Sequence, residues 1–197
     1  MQPLLGAAGG VLAIVDYLLY ARSILRGRTR PNTATWVGTG AVWFVALLSY
    51  FLVGARDTLW FVAASTAGSF LVALLSLRYG VKWQRFDFVC LTGAAGAGAL
   101  GFLTESPLNA LYAAMLVDFL ALLPTMAKTW KHPDWEEGFP WIVTVAASVL
   151  TVMAATLPWS IEIAAYPVYL LVINALVLAL IYRPKMQVSL AYLFGQS

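Results

Sequence analysis

The chain has 197 residues, of which 61% belong to the set AVILMFWYC and only 11% are charged, with a mean hydropathy of +0.81. A soluble domain of this length cannot hide so much apolar surface, so the composition excludes an ordinary water-soluble enzyme and predicts a polytopic membrane protein. With a net charge of +3, one cysteine (Cys90) and one histidine (His132), the chain excludes an internal disulfide and cysteine metal clusters, leaves little room for histidine chemistry, and gives no reason to invoke nucleic acid.

The first stretch, MQPLLGAAGGVLAIVDYLLY, has no positive charge ahead of its apolar run, so it is expected to stay as a span rather than be cleaved as a signal peptide. Seven apolar stretches follow one another: Leu4–Ile24, Thr33–Gly54, Thr58–Leu77, Phe86–Leu103, Pro107–Ala127, Phe139–Leu157 and Ile161–Tyr182. Each is near the roughly 20 residues that a helix needs to cross a bilayer. The connections are short, so adjacent spans are expected as antiparallel neighbours, and no linker is long enough for a second domain. The predicted fold class is an all-α polytopic membrane protein.

Basic residues set the expected orientation. Arg22, Arg26, Arg28 and Arg30 follow span 1; Arg78, Lys82 and Arg85 follow span 3; Lys128 and Lys131 follow span 5; Arg183 and Lys185 follow span 7. Only Arg56 falls on the other side. The positive-inside rule therefore predicts an outside N-terminus and a cytoplasmic C-terminus. The expected location is the bacterial inner (plasma) membrane.

One segment occurs twice. Val117 to Glu137, VDFLALLPTMAKTWKHPDWEE, matches VDYLLYARSILRGRTRPNTAT from Val15 to Thr35 at an offset of 102. Val15, Asp16, Leu18 and Pro31 recur as Val117, Asp118, Leu120 and Pro133. Spans 1–3 and 5–7 both enter from the outside, so the repeats are expected to lie parallel, with span 4 as the inversion linker. The predicted units are residues 1–80 (first three-helix repeat), 81–104 (linker helix), 105–185 (second three-helix repeat) and 186–197 (cytoplasmic tail). Within span 4, Gly93, Ala97 and Gly101 put small residues at four-residue spacing, which suits close helix packing.

This three-plus-one-plus-three pattern resembles the SWEET sugar transporters and their SemiSWEET, PQ-loop and PnuC-type relatives. The run LPTMAKTW, Leu123 to Trp130, is similar to the PQ-loop signature, with Thr125 where the glutamine would stand and Arg22–Ser23 at that offset in the first repeat. The resemblance spans nearly the whole chain in topology and about 20 residues per repeat in motif. It implies alternating access, membrane-embedded acids that couple protons, and an asparagine in each of spans 3 and 7 facing the cavity. Asn174 matches that last position, and Ser69, its counterpart at an offset of 105, departs from it.

Asp16 and Asp118 lie eleven or twelve residues inside spans 1 and 5. At about 1.5 Å per residue this is near the midplane of a core roughly 30 Å thick. An ionised carboxylate there costs about 2.5–3.5 kcal/mol on insertion scales, so both acids must face the protein interior. They are read as proton- or cation-binding groups, with an interhelical hydrogen bond as the alternative. Trp43 lies at mid-depth in span 2, away from the interfacial belts expected to hold Trp36, Trp60, Trp141 and Trp159. Trp43 and Tyr17 are candidate cavity residues, and Pro124 and Pro167 are candidate hinges because they remove backbone donors inside spans 5 and 7. Arg26, Arg28 and Arg30 could pair with Asp134, Glu136 and Glu137 as a cytoplasmic gate.

The sequence holds no Gly-rich phosphate loop, no His/Cys metal set, no nucleophile–His pair and no Gly-x-Gly-Asp pattern of an intramembrane aspartyl protease, so neither catalysis nor a cofactor is expected. The expected function is alternating-access transport of a small polar solute (a sugar, amino acid or vitamin-like molecule), with proton coupling through Asp16 and Asp118. The alternative is a non-transporting membrane subunit or adaptor that binds a partner protein, pigment or lipid. Expected partners are a small-molecule solute, the lipid bilayer, and a second copy or another membrane protein.

Overall fold

The computed structural model describes the backbone of residues 2–53, 56–104, 106–155 and 161–193, with backbone alone at helix ends that include 2–7, 56–61, 161–163 and 185–193. Among the described residues every regular element is helical: α1 (Gln2–Leu25), α2 (Thr33–Val53), α3 (Arg56–Tyr79), α4 (Arg85–Phe102), α5 (Pro107–Lys131), α6 (Gly138–Ala155) and α7 (Ile161–Leu193). A 3₁₀ turn at Pro133–Trp135 lies between α5 and α6.

Local sequence explains where these helices stop and start. Gly27 takes a left-handed φ of 70°, its amide donates to Ile24 O at 2.9 Å, and the Arg28 amide donates to Ser23 O at 3.0 Å. This is the paired closure that ends a helix at a glycine. Asn32 opens α2 by accepting from the Thr35 amide at 3.2 Å, and its Nδ2 donates to Asp87 Oδ1 at 3.2 Å. The other oxygen of Asp87 accepts from the Gln84 amide at 2.8 Å, so one Asn–Asp pair ties the starts of α2 and α4 together. Pro107 sits in the first turn of α5, where its missing N–H costs nothing.

Polarity runs opposite to that of a soluble protein. Phe102, Leu103, Leu100 and Leu77 are at least 70% exposed, while Ser65, Ser69, Ser76, Thr125 and Thr129 are buried. Apolar rims around a hydroxyl-lined interior suit a lipid surround, where internal polar groups must find partners within the protein. Among the described residues, three helices carry stretches long and apolar enough to cross a membrane: Val62–Tyr79, Leu111–Lys131 and Ala164–Pro184. Shorter apolar helical stretches run over Thr33–Leu48 and Gly138–Met153.

In the packing, α1 lies against α3 and α6, α2 against α3 and α5, and α7 against α5 and α6, with α4 on α5 and, to a lesser extent, α2. The core joins Tyr20, Ile24, Trp36, Val72, Leu122, Trp141 and Val177, drawn from α1, α2, α3, α5, α6 and α7. Small residues let α2 and α5 approach: a Cβ added at Gly38 would stand 2.7 Å from Ala121 Cβ. Of the small residues spaced along α4, Ala97 is buried and Gly101 abuts Ala113 of α5, whereas Gly93 is exposed; Ala94 beside it is buried.

The basic connections converge at one end. The Arg30 amide donates to Trp135 O at 2.9 Å, the Val81 amide to Pro31 O at 3.0 Å, and Arg183 Nη2 to Trp130 O at 2.8 Å. Gly54 and Leu157 of the predicted spans and Trp159 of the expected interfacial belt lie outside the described residues, as does the side chain of Trp60.

The segment 186–193 of the predicted tail continues α7, and Pro184 lies inside that helix. One expectation needs correction. Trp36 and Trp141 are not interfacial belt residues: they are 9% and 6% exposed and flank Tyr20 in the core, with ring centroids 4.8 and 6.2 Å from it. Close ring contacts with Tyr20 hold both inside, and Trp141 Nε1 also donates to Glu136 Oε2 at 3.2 Å.

Candidate functional site

Two polar clusters occupy the interior, one at mid-depth and one at the basic end. At mid-depth, Asp16 projects from α1 with Oδ1 buried and without a hydrogen-bond partner, while Thr144 of α6 is a side-chain hydrogen-bonding neighbour of the carboxylate. Asp118 projects from α5, and its Oδ2 accepts from the Tyr169 hydroxyl of α7 at 2.9 Å. Tyr17, next to Asp16 on α1, shares a hydrogen bond of 2.9 Å with Ser69 Oγ of α3. Its hydroxyl also has Trp43 of α2 as a neighbour and lies within electrostatic reach of both Asp16 and Asp118. Tyr166 lies in the field of Asp118 and of Tyr17.

Asp16, Tyr17, Trp43, Ser69 and Asp118 therefore occupy one polar zone, joined by Tyr166 and Tyr169. Asn174 is engaged on the seam between α7 and α6, where its Nδ2 donates to Ser148 Oγ at 3.3 Å. Pro124 and Pro167 both lie inside continuous helices. Next to Pro124, the Thr125 amide donates to Thr35 Oγ1 of α2 at 3.2 Å, and the two threonine hydroxyls lie 3.0 Å apart. A proline disturbs the preceding helical turn, and here the amide beside it is satisfied from a different helix.

The second cluster surrounds Glu136, whose side chain is completely buried. The Tyr20 hydroxyl lies 3.0 and 3.1 Å from Oε1 and Oε2, so its single proton is shared between the two oxygens. Trp141 Nε1 donates to Oε2 at 3.2 Å, and Lys128 forms an ion pair with Oε1. Lys128 Nζ also donates to Arg30 O at 2.6 Å. A buried ion pair persists only when further hydrogen bonds replace lost hydration, and here the Tyr20 hydroxyl of α1 and the Trp141 indole of α6 donate to the carboxylate beside Lys128 of α5. Around it, Arg28 pairs with Glu137 at 3.0 Å, Arg30 lies 5.0 Å over the Trp135 ring, and the Glu137 amide donates to Thr29 Oγ1 at 3.1 Å. The Ser23 hydroxyl and the Arg28 guanidinium hold the Glu137 carboxyl below the usual carboxylate range.

The expected pairing of first-loop arginines with second-loop acids is thus realised at Arg28–Glu137, whereas Glu136 takes Lys128 from its own end of the chain. Lys128, which in the sequence serves to orient the chain, is 7% exposed. Tyr20, Tyr166 and Tyr169 carried no spacing to single them out. A signal was present for the tryptophans: Trp36 and Trp141 are 105 residues apart, the same offset that relates Ser69 to Asn174.

Chemically, the mid-depth zone offers one carboxylate oxygen with an unused buried lone pair, a second carboxylate with a single hydroxyl donor, and tyrosine hydroxyls between them. Such a set can bind a proton or a small cation, or accept hydrogen bonds from a polar solute. Comparison of the chain with protein-family models, with curated proteins and with solved structures gives no match.

Proposed function

We propose that the chain is a seven-span, alternating-access carrier of a small polar solute, with Asp16 and Asp118 as proton- or cation-binding groups of a central site. The observation that carries this reading is the convergence of two repeat-related carboxylates on one polar zone around Tyr17.

The helix contacts support a parallel repeat. Exchanging α1–α3 for α5–α7 turns the α1–α6 contact into α5–α2, α1–α3 into α5–α7, and α2–α3 into α6–α7, all of which occur. The helix α4 then serves as the linker between two three-helix units. Convergence of the basic connections supports a single cytoplasmic end, with the N-terminus opposite. On this reading the Glu136 cluster seals the cytoplasmic end beneath the polar zone, and transport requires that seal to part. The SWEET-like resemblance points to sugars, amino acids or vitamin-like solutes.

The test is uptake by the full chain in proteoliposomes across a panel of these solutes, with an imposed proton gradient. Saturable, gradient-dependent uptake that is lost in Asp118→Asn is expected. Unchanged uptake and pH dependence in that variant would remove the coupling role. Retention of a pigment or partner protein after mild purification, without saturable uptake, would mark a membrane subunit instead.

A further inference from the structure

A cavity of about 160 Å³ opens at the basic end between the last turns of α1 and the first turn of α6, on the outer side of the Arg28–Glu137 pair and without Glu136, Lys128 or the aspartates among its walls. Leu19 and Arg22 of α1, Arg26 and Arg28 of the following turn, Glu137, and Phe139 of α6 are among its walls. Three guanidiniums thus surround one carboxylate. Arg28 is paired with Glu137, while Arg22 and Arg26 form no ion pair among the described residues and remain exposed. One carboxylate among three guanidiniums leaves an excess of positive charge at the mouth of a cavity whose other walls are Ser23 and the apolar Leu19, Phe139 and Pro140.

The apolar walls continue away from the cavity along both helices. On α1, Leu19 is in register with Val15 and Val11, at four and eight residues back, and both are exposed. On α6, Phe139 is in register with Ile142, Val149 and Met153, at three, ten and fourteen residues on, and all four are exposed. Since α1 and α6 pack against each other and both wall the cavity, an exposed apolar stripe runs from the guanidiniums along each helix. An anion held at the end of an apolar seam must itself be amphipathic, which a free inorganic anion is not.

We infer that this cavity is a binding site for an anionic phospholipid, with the phosphodiester held by Arg22 and Arg26 and an acyl chain lying along the α1–α6 seam. Guanidinium forks match two phosphate oxygens, and basic pockets between helices at the cytoplasmic surface suit anionic headgroups. The inference rests on the membrane placement of the chain and not on transport, so a failure to find a transported solute leaves it standing.

The test is native mass spectrometry of the full chain in detergent, titrated with phosphatidylglycerol and with phosphatidylcholine. Preferential retention of phosphatidylglycerol is expected. That preference should fall by about 30-fold in the double variant Arg22→Gln/Arg26→Gln, at about fivefold per guanidinium. It should persist in Lys82→Gln/Arg85→Gln, which removes the same charge from the connection between α3 and α4. Equal retention of the two lipids by the unmodified chain would overturn the site without recourse to any variant. An equal loss in both double variants would show attraction by diffuse surface charge and would also overturn it. Thermal stabilisation by inorganic phosphate that matches stabilisation by short-chain phosphatidylglycerol would overturn the lipid assignment. A chain that stays monodisperse without detergent would point instead to failure of the membrane placement.

Discussion

The hydroxyl of Tyr20 reaches Glu136 across 116 positions of sequence and lies 3.0 and 3.1 Å from its two carboxylate oxygens. It joins α1 to the turn between α5 and α6 at a point where Lys128 supplies the only full positive charge on that carboxylate among the described residues. Tyr20→Phe removes one donor while leaving Lys128 and Trp141 in place, and should cost about 1.5–3 kcal/mol, the range for a hydrogen bond to a charged group. Glu136→Gln leaves Lys128 buried without its counter-charge and should cost about 3–5 kcal/mol. Denaturation of both variants in detergent checks this order; equal losses would mean that Lys128 finds another partner.

A close approach between α1 and α3 holds the Tyr17 ring. A Cβ added at Gly68 would stand 2.5–2.8 Å from Cγ, Cδ1 and Cδ2 of that ring, atoms near the backbone that have little freedom to yield. Gly68→Ala should therefore push the helices apart, destabilise the protein by about 1–3 kcal/mol and weaken the Tyr17–Ser69 hydrogen bond. Thermal stability checks the first effect. Uptake by Tyr17→Phe, which loses the hydroxyl without the clash, separates the second.

The two aspartates differ in their satisfaction. Asp118 has the Tyr169 hydroxyl on Oδ2, while Asp16 keeps a buried oxygen without a partner. Asp118→Asn should abolish gradient-dependent uptake with the fold retained, because an amide keeps the shape and the Tyr169 contact but cannot carry the proton. Asp16→Asn should be at least as stable as the unmodified chain, since it replaces a buried unpaired acceptor with a neutral group. If the carboxylates only tie helices together, Asn will be tolerated at both positions and Leu will be the damaging change. Parallel uptake and melting measurements on the four variants distinguish the outcomes.

Acid should loosen the basic end. The Glu137 carboxyl is held low by the Ser23 hydroxyl and by Arg28, so its contribution to stability is present above the ordinary carboxylate value of about 4.3 and is lost as pH falls through the lower folded value. The pair is largely exposed, so the effect is small. Melting temperature followed from neutral pH into that range should show the unmodified chain above Glu137→Gln at neutral pH and the two converging in acid. Parallel curves throughout would show that the pair contributes nothing.

Orientation is open to a direct test. A reporter fused after Ser197 should be cytoplasmic and one fused ahead of Gln2 should not, given eleven basic residues predicted on one side and Arg56 on the other. Both ends on one side would mean an even number of spans.

Helix limits were legible from local chemistry. The expected starts at Thr33 and Pro107 coincide with those of α2 and α5, because Asn32 and Pro107 act within a few residues of themselves, as does the glycine closure at Gly27 that ends α1. The repeat of Asp16 at Asp118 was likewise written in the chain, since an acid in an apolar run is conspicuous wherever it falls. Side-chain orientation was not. Helices that are apolar on every face carry no stripe to mark the inward one, so nothing local distinguished Trp36 and Trp141, which are buried beside Tyr20, from tryptophans facing headgroups. Lys128 and Glu136 read as two more loop charges for the same reason. Only the packing of α1, α5 and α6 around them removes them from water and makes each the other's partner, because that contact depends on residues more than a hundred positions away.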